Sequence, residues 1–269
     1  MQLIAADIGN SSTKIAVEHT RDGDRWCMET IFRGDEPICL DLSGFESAEE
    51  PAFWAASSVN RDRQRQLENW VREHRPEDRF HAINAEEVNL ETHVDSRDAL
   101  GRDRLIAGWM AMELNDRSGP LIVIDAGTAV TIDLIDQALV FQGGFIFAGV
   151  DSNFRQLAQG TAALPDLSGQ SRNRPLDKLS LQTPGKSTID AIRHGVYFSQ
   201  VEAIRGIVDE LSRDLATGQE QHQQPAVYAT GGGLQEISNC LPAEWNYVSD
   251  LVLRGARSIG HTLLDGLNS

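Results

Sequence analysis

Leu3-Ile4-Ala5-Ala6-Asp7-Ile8-Gly9-Asn10-Ser11-Ser12-Thr13-Lys14 decides the fold, because it returns at a constant offset of 118 residues as Leu121-Ile122-Val123-Ile124-Asp125-Ala126-Gly127-Thr128-Ala129-Val130-Thr131-Ile132. Each copy runs from four apolar residues into an aspartate, a glycine turn with small hydroxyl or amide residues, and a second β-prone run, the pattern of a tight β-hairpin. One D-x-G is a weak signal that any buried strand ending in an Asx-turn would give. Two in register read as one half of a chain written twice. The chemistry suits phosphate: glycine lets the backbone approach an anion, N–H groups and hydroxyls donate to its oxygens, and a carboxylate at the strand end can hold a neutralising cation.

Outside that repeat, 269 residues with 41% apolar content suffice for two domains with real cores. The halves are expected at 1–118 and 119–269. No apolar run approaches the length of a membrane span, and the first strand carries no basic leader, so a cytoplasmic protein without membrane association is expected. Cys27, Cys39 and Cys240 show no C-x-x-C spacing and read as reduced and structural. The seven histidines are scattered without a ligand spacing, so no histidine metal site is expected. A net charge of −16 argues against a nucleic-acid partner, whose binding is driven by Lys and Arg neutralising phosphates.

The coarse pattern is strands first and helices after, in both halves. Ala52 to Val59 reads as a buried strand, Arg61 to His74 as a charged helix with Leu67, Trp70 and Val71 on one face, Phe80 to Ile83 as a short strand, and Arg102 to Asn115 as a second helix. Ser118-Gly119-Pro120 punctuates the chain before the second copy. There Leu121 to Ile135 gives the hairpin, Leu139 to Phe141 and Gly143 to Gly149 two further strands, and Asp151 a cap for the next helix, which Gly160 closes. Ser187 with Asp190 makes a capping-box-like start to a long helix towards Leu215. Ala226 to Thr230 is a strand entering Gly231-Gly232-Gly233, followed by helices over Leu234–Leu241 and Leu253–Leu267.

Three features can carry chemistry. Lys14, seven residues after Asp7, can reach phosphate oxygens as a point charge. Gly101-Arg102-Asp103-Arg104 places a carboxylate and a guanidinium at a helix start; Asp103 could accept a proton from an attacking hydroxyl and an arginine could bind a carboxylate, although from the tetrapeptide alone an ordinary N-terminal charge pair is the better reading. The glycine triplet could pass close to a flat ligand such as adenine, or simply form a turn.

Taken together, Asp7-x-Gly9-Asn10-x-x-x-Lys14, Gly101-x-Asp103-Arg104, Asp125-x-Gly127-Thr128-Ala129-x-Thr131-x-Asp133, Gly143-Gly144-x-Ile146-x-x-Gly149 and Gly160-Thr161-Ala162-x-Leu164-Pro165 resemble the type III pantothenate kinases, over nearly the whole chain. The resemblance implies an α/β protein of two duplicated ribonuclease-H-like domains, the actin-like ATPase fold of the acetate and sugar kinase/Hsp70/actin superfamily, with a nucleotide cleft between them. It implies phosphorylation of pantothenate with ATP and Mg2+, a monovalent cation (K+ or NH4+), and a homodimer. Carried over by position, Asp7, Ile8, Gly9, Asn10, Ser11, Ser12, Thr13 and Lys14 form the ATP phosphate loop, and Thr128 contacts ATP. Gly101, Arg102, Asp103 and Arg104 hold pantothenate with Asp103 as proton acceptor, Asp125 binds the monovalent cation, and Thr188 touches pantothenate near the dimer interface. The chain departs from the pattern at Val94, where a tyrosine is usual, and at Ser96 and Arg97, where Asn-Pro follows. It also departs at Arg102, Ser11 and Ala148, and two rival readings stand beside the kinase of pantothenate, the first suggested by Val94 and the second opposed by the retained Asp7, Lys14, Asp103, Arg104 and Asp125. One is a kinase of another small hydroxy acid or sugar; the other is a regulatory protein without turnover, of the Bvg accessory factor type.

Overall fold

The computed structural model describes residues 2–18, 26–33, 51–169, 184–216 and 223–268. The short apolar piece Ile38-Cys39-Leu40 and the glycines at 23, 34 and 44 lie outside the described residues. The chain forms two compact units, one of residues 1–90, 95–110 and 250–269, the other of residues 91–94 and 111–249. By contacts the long central division between these units falls at Met110/Ala111, within a helix, and the C-terminal segment groups with the first unit. The reason is local, since the C-terminal helix packs on the first sheet.

In the first unit, β1 (Gln2–Ile8), β2 (Ser12–Glu18), β3 (Trp26–Arg33), β4 (Ala52–Ser58) and β5 (Arg79–Ala82) form a sheet of order β3-β2-β1-β4-β5. β1 pairs antiparallel with β2 and parallel with β4. Period-two alternation sends Ile4, Ala6 and Ile8 to one face with Trp54 of β4, against Leu67 and Val71 of α1 (Arg61–His74). Asn60 caps α1 by accepting from the Arg63 N–H at 3.1 Å. Asp78, on the turn after α1, accepts from the Trp54 indole N–H (2.8 Å) and the Ala52 N–H (2.9 Å) and pairs with Arg75, so an almost fully buried carboxylate is satisfied by three partners.

The opposite face of this sheet carries Leu3 and Ala55, and Gly260 of the C-terminal helix lies directly on them: a Cβ there would stand 2.7 Å from Leu3 and 2.8 Å from Ala55. A Cβ at Gly255 of the same helix would collide with Ile106, in the helix opened by Gly101.

In the second unit the sheet order is β11-β10-β7-β8-β9-β6, from β7 (Leu121–Ala126), β8 (Ala129–Ile135), β9 (Val140–Ala148), β10 (Ala226–Thr230), β11 (Asn246–Tyr247) and β6 (Glu91–Thr92). β7 pairs antiparallel with β8 and parallel with β10. Leaving out β6, this repeats the first sheet strand for strand, so the duplication read from two short segments holds for the whole topology. Ile122, Ile124 and Ile132 form the core with Phe154 of α3 (Val150–Gly160) and with Val201 and Ile204 of α4 (Thr188–Ala216).

The helices completing the chain are α2 (Arg102–Leu114), the single turn α5 (Leu234–Ile237) and α6 (Leu251–Asn268). Ser187 caps α4 as its spacing predicts, accepting from the Asp190 N–H at 3.1 Å and donating to the Asp190 carboxylate at 2.7 Å. Two expectations are corrected. Val140 to Ala148 is one continuous strand, because Gly143 takes φ +93 and a register shift opposite it absorbs the irregularity. Asp151 does not cap α3; Gly149 occupies that position, and Asp151 accepts from the Gly169 N–H instead.

Candidate active site

The two hairpins are built alike up to the glycine and then differ by one residue. β1 and β2 pair Asp7 with Lys14 and Ile8 with Thr13, while β7 and β8 pair Asp125 with Thr131 and Ala126 with Val130. The second turn is therefore one residue shorter, and the residue across from Asp125 is Thr131, not the Ile132 that an ungapped match aligns with Lys14. Each turn closes on its glycine: Gly9 N–H donates to Ser12 O at 3.0 Å, and Gly127 N–H to Ala129 O at 2.9 Å. Of the phosphate-loop residues, Asn10 and Ser11 are exposed, Gly9, Ser12 and Lys14 half-buried, and Ile8 and Thr13 buried in the interior. Ile8 can thus offer a ligand only its backbone.

The first unit also gathers the charges that the sequence left scattered. Asp7 is half-buried, and its pKa rises from the ordinary carboxylate range to about 6; burial is the main cause, the Lys14 ammonium opposes it, and the Asp103 carboxylate adds to it. Asp103 is therefore within electrostatic reach of Asp7. Its own pKa is raised by burial, against the opposing pull of the Arg104 backbone N–H and guanidinium. Asp103 sits in the first turn of α2 and accepts from the Arg104 N–H at 2.8 Å. Gly101 leaves room for this: a Cβ there would stand 2.6 Å from Asp103 Oδ1. Beside it, the half-buried Arg102 donates to Leu100 O at 3.3 Å. A carboxylate with a raised pKa, next to a guanidinium and a second carboxylate, is equipped to take a proton while an anion is held beside it.

In the second unit Asp125 is half-buried at the end of β7, and Thr128 is exposed on the turn with its carbonyl accepting from the Gly149 N–H (2.9 Å) and the Ser152 hydroxyl (2.7 Å). Gly231 takes φ +101 and crosses the end of β7 so closely that a Cβ would stand 2.5 Å from Asp125 Oδ1. Gly233 N–H donates to Ala126 O at 2.8 Å. The glycine triplet is thus both a tight turn and the backbone wall beside Asp125. Val94 groups with this unit, against Gly143, and Thr188 is an exposed residue opening α4. Among the described residues no three His, Cys, Asp or Glu side chains form a metal-holding group, and no helix is long and apolar enough to cross a membrane.

One pair of residues escaped the sequence reading. Ser57 of β4 is the register partner of Asp7, and Thr230 of β10 is the register partner of Asp125. Both are buried. Matching the ends of the fourth strands of the two copies, Ala56-Ser57 against Ala229-Thr230, would have been the signal.

Residues 3–210 match the sequence model of the type III pantothenate kinases. A type III pantothenate kinase from Thermus thermophilus is 29% identical over 94% of this chain and 96% of its own length, and one from Caulobacter vibrioides is 27% identical over 96% and 97%. For one from Persephonella marina the match, 28% identical, spans 62% of this chain and 58% of that protein. A crystal structure titled as a Baf family transcriptional activator, from Campylobacter jejuni, superposes with a TM-score of 0.57 at 22% identity, covering 97% of this chain and 99% of that one, and shows the shared fold. With its duplicated sheets, its acidic glycine turns and a family match over most of its length, the chain belongs to the type III pantothenate kinase family.

Proposed function

We propose that Asp103 is the proton acceptor in the family's reaction, the ATP-dependent phosphorylation of pantothenate to 4'-phosphopantothenate that opens coenzyme A biosynthesis. The observation that carries this reading is the gathering of Asp7, Lys14, Asp103 and Arg104 in one compact unit, with the Asp7 and Asp103 carboxylates close enough to raise the Asp7 pKa. Phosphoryl transfer asks a protein mainly for positioning and charge neutralisation. Lys14 and the turn Gly9–Ser12 would bind the ATP phosphates, and Arg104, with Gly101 and Arg102 around it, the pantothenate carboxylate. Asp103 would take the proton of the primary hydroxyl as it attacks the γ-phosphorus.

Mg2+ would sit at Asp7; with no larger ligand cluster among the described residues, it would be bound through one carboxylate, phosphates and water, as Mg2+ commonly is. When bound, it supplies charge neutralisation on the phosphates. Asp125 is the proposed ligand of the monovalent cation, Thr128 an ATP contact, and Val94 and Thr188 pantothenate contacts. A homodimer is supported by four exposed apolar residues of the second unit, Phe145 and Ile146 on β9 and Ile189 and Phe198 on α4. The cytoplasm is the proposed compartment, in keeping with the soluble biosynthetic family to which the chain belongs.

Incubation with pantothenate, ATP, Mg2+ and K+ should yield phosphopantothenate by mass. Asp103→Asn should lower kcat at least about a hundredfold while ATP binding is kept. A fully active Asp103→Asn protein overturns the assignment, and a panel of other hydroxy acids and sugars tests the acceptor.

A further inference from the structure

Ser57 is fully buried, and its hydroxyl has no hydrogen-bond partner among the described residues. A buried hydroxyl without a partner costs free energy in the empty protein. The neighbouring Ser58 accounts for its own hydroxyl by donating to Asn60 O at 3.2 Å, so of the two adjacent serines Ser57 is the one left without a partner. Its place in the sheet explains what it is for. β1 and β4 run parallel with Asp7 opposite Ser57, so the two side chains leave the same face at the carboxyl ends of their strands. Lys14 flanks Asp7 on its other side. The same face is closed further back by α6 lying on Leu3 and Ala55, which keeps that stretch dry and leaves Ser57 and Asp7 at its polar end. The arrangement recurs in the second unit, where the buried Thr230 stands in register beside Asp125. Two halves that have diverged widely in sequence both keep a hydroxyl next to the strand-end aspartate.

We infer that Ser57 is a positioning residue for the hydrated divalent cation that accompanies the nucleotide: its hydroxyl hydrogen-bonds a cation-bound water whose other partner is the Asp7 carboxylate. This rests on the placement of Mg2+ at Asp7 proposed above. A hydroxyl suits the role because its oxygen can accept one proton of a cation-bound water while the carboxylate accepts the other, and its lack of charge leaves the cation's ligand count to the phosphates. Outer-shell partners of this kind change metal affinity by about 10–100-fold when removed.

The test uses Mn2+ as the spectroscopic probe, titrated by electron paramagnetic resonance into the protein with a non-hydrolysable ATP analogue, alongside thermal melting of the ligand-free protein. Ser57→Ala should bind Mn2+ about tenfold or more weakly, yet melt at the same temperature as wild type or higher, because an unsatisfied group has been removed. Ser57→Thr, which copies the second unit, should keep Mn2+ binding close to wild type. Unchanged Mn2+ affinity in Ser57→Ala overturns the inference, as does a ligand-free Ser57→Ala protein that melts several degrees lower, since the hydroxyl would then have a structural partner. If wild type itself binds no Mn2+ with the analogue, the Mg2+ placement fails too; if wild type binds and Ser57→Ala binds equally, only the role of Ser57 fails.

Discussion

Across β1 and β2, Asp7 faces Lys14 and has Ser57 on its other side; across β7 and β8, Asp125 faces Thr131 and has Thr230 on its other side. The first turn spans Gly9 to Ser12 and the second, one residue shorter, is overlain by Gly231. What both copies keep is the frame: a strand-end aspartate, a glycine turn and a hydroxyl on the parallel neighbour. What separates them is the residue across the hairpin and the second carboxylate that α2 brings to Asp7. Duplication thus supplies two strand-end aspartates on glycine turns, and divergence at a few positions gives the first an ammonium and a neighbouring carboxylate while the second keeps a hydroxyl and close backbone.

The sharpest way to break that contrast is to make the first hairpin resemble the second. Lys14→Thr removes the cation across from Asp7 and should lower kcat/KM for ATP by about 10²–10³, the usual cost of losing a donor to developing phosphate charge. Steady-state kinetics at saturating pantothenate measure it. A loss below about threefold would mean that the lysine is a strand residue and that the charge difference between the hairpins has no catalytic meaning.

Much of this frame is legible in the sequence, for a physical reason. Strands β1 and β7 are continuous apolar runs that end in Asp-x-Gly, and such runs bury on both faces and tolerate little change, so their echo survives without a gap. Beyond the glycine the echo misleads, because a one-residue difference in turn length shifts the partner of the aspartate while leaving every residue type plausible. Ser57 was invisible for another reason. A serine at a strand end resembles a turn residue, and only the parallel register with β1, a contact some fifty positions away in the chain, places it beside Asp7. The placement of α6 was hidden for the same reason: it is last in sequence, and only its packing on the first sheet and on α2 groups it with the first unit.

A smaller effect sharpens the contrast through stability. Because the Asp7 pKa in the folded chain is about 6 against an ordinary 3.8, the native state holds more protons than the unfolded state between those values, so stability falls as pH rises through that window. Asp7→Asn removes the cost of the buried charge. Melted without nucleotide or divalent cation, the variant should match wild type at about pH 4 and gain up to about 3 kcal/mol by about pH 7.5, less whatever solvent screening the half-buried carboxyl enjoys. Equal pH profiles for the two proteins would remove the cost of charge burial assigned to Asp7.

The end of α2 offers the mildest test. α2 ends in a Schellman arrangement: Arg117 N–H donates to Met112 O at 2.9 Å and Asp116 N–H to Glu113 O at 3.1 Å, with Asp116 at φ 49. Glycine adopts that left-handed conformation without steric cost, whereas aspartate pays for its Cβ. Asp116→Gly should therefore stabilise the protein by about 0.5–1 kcal/mol, read as a small rise in the urea midpoint at constant m, and leave kcat unchanged. Since Asp103 opens the same helix whose end Asp116 closes, an Asp116→Gly protein with altered kcat would show that the helix end transmits to the base. The comparison between the hairpins would then have to include α2 as a third, coupled element.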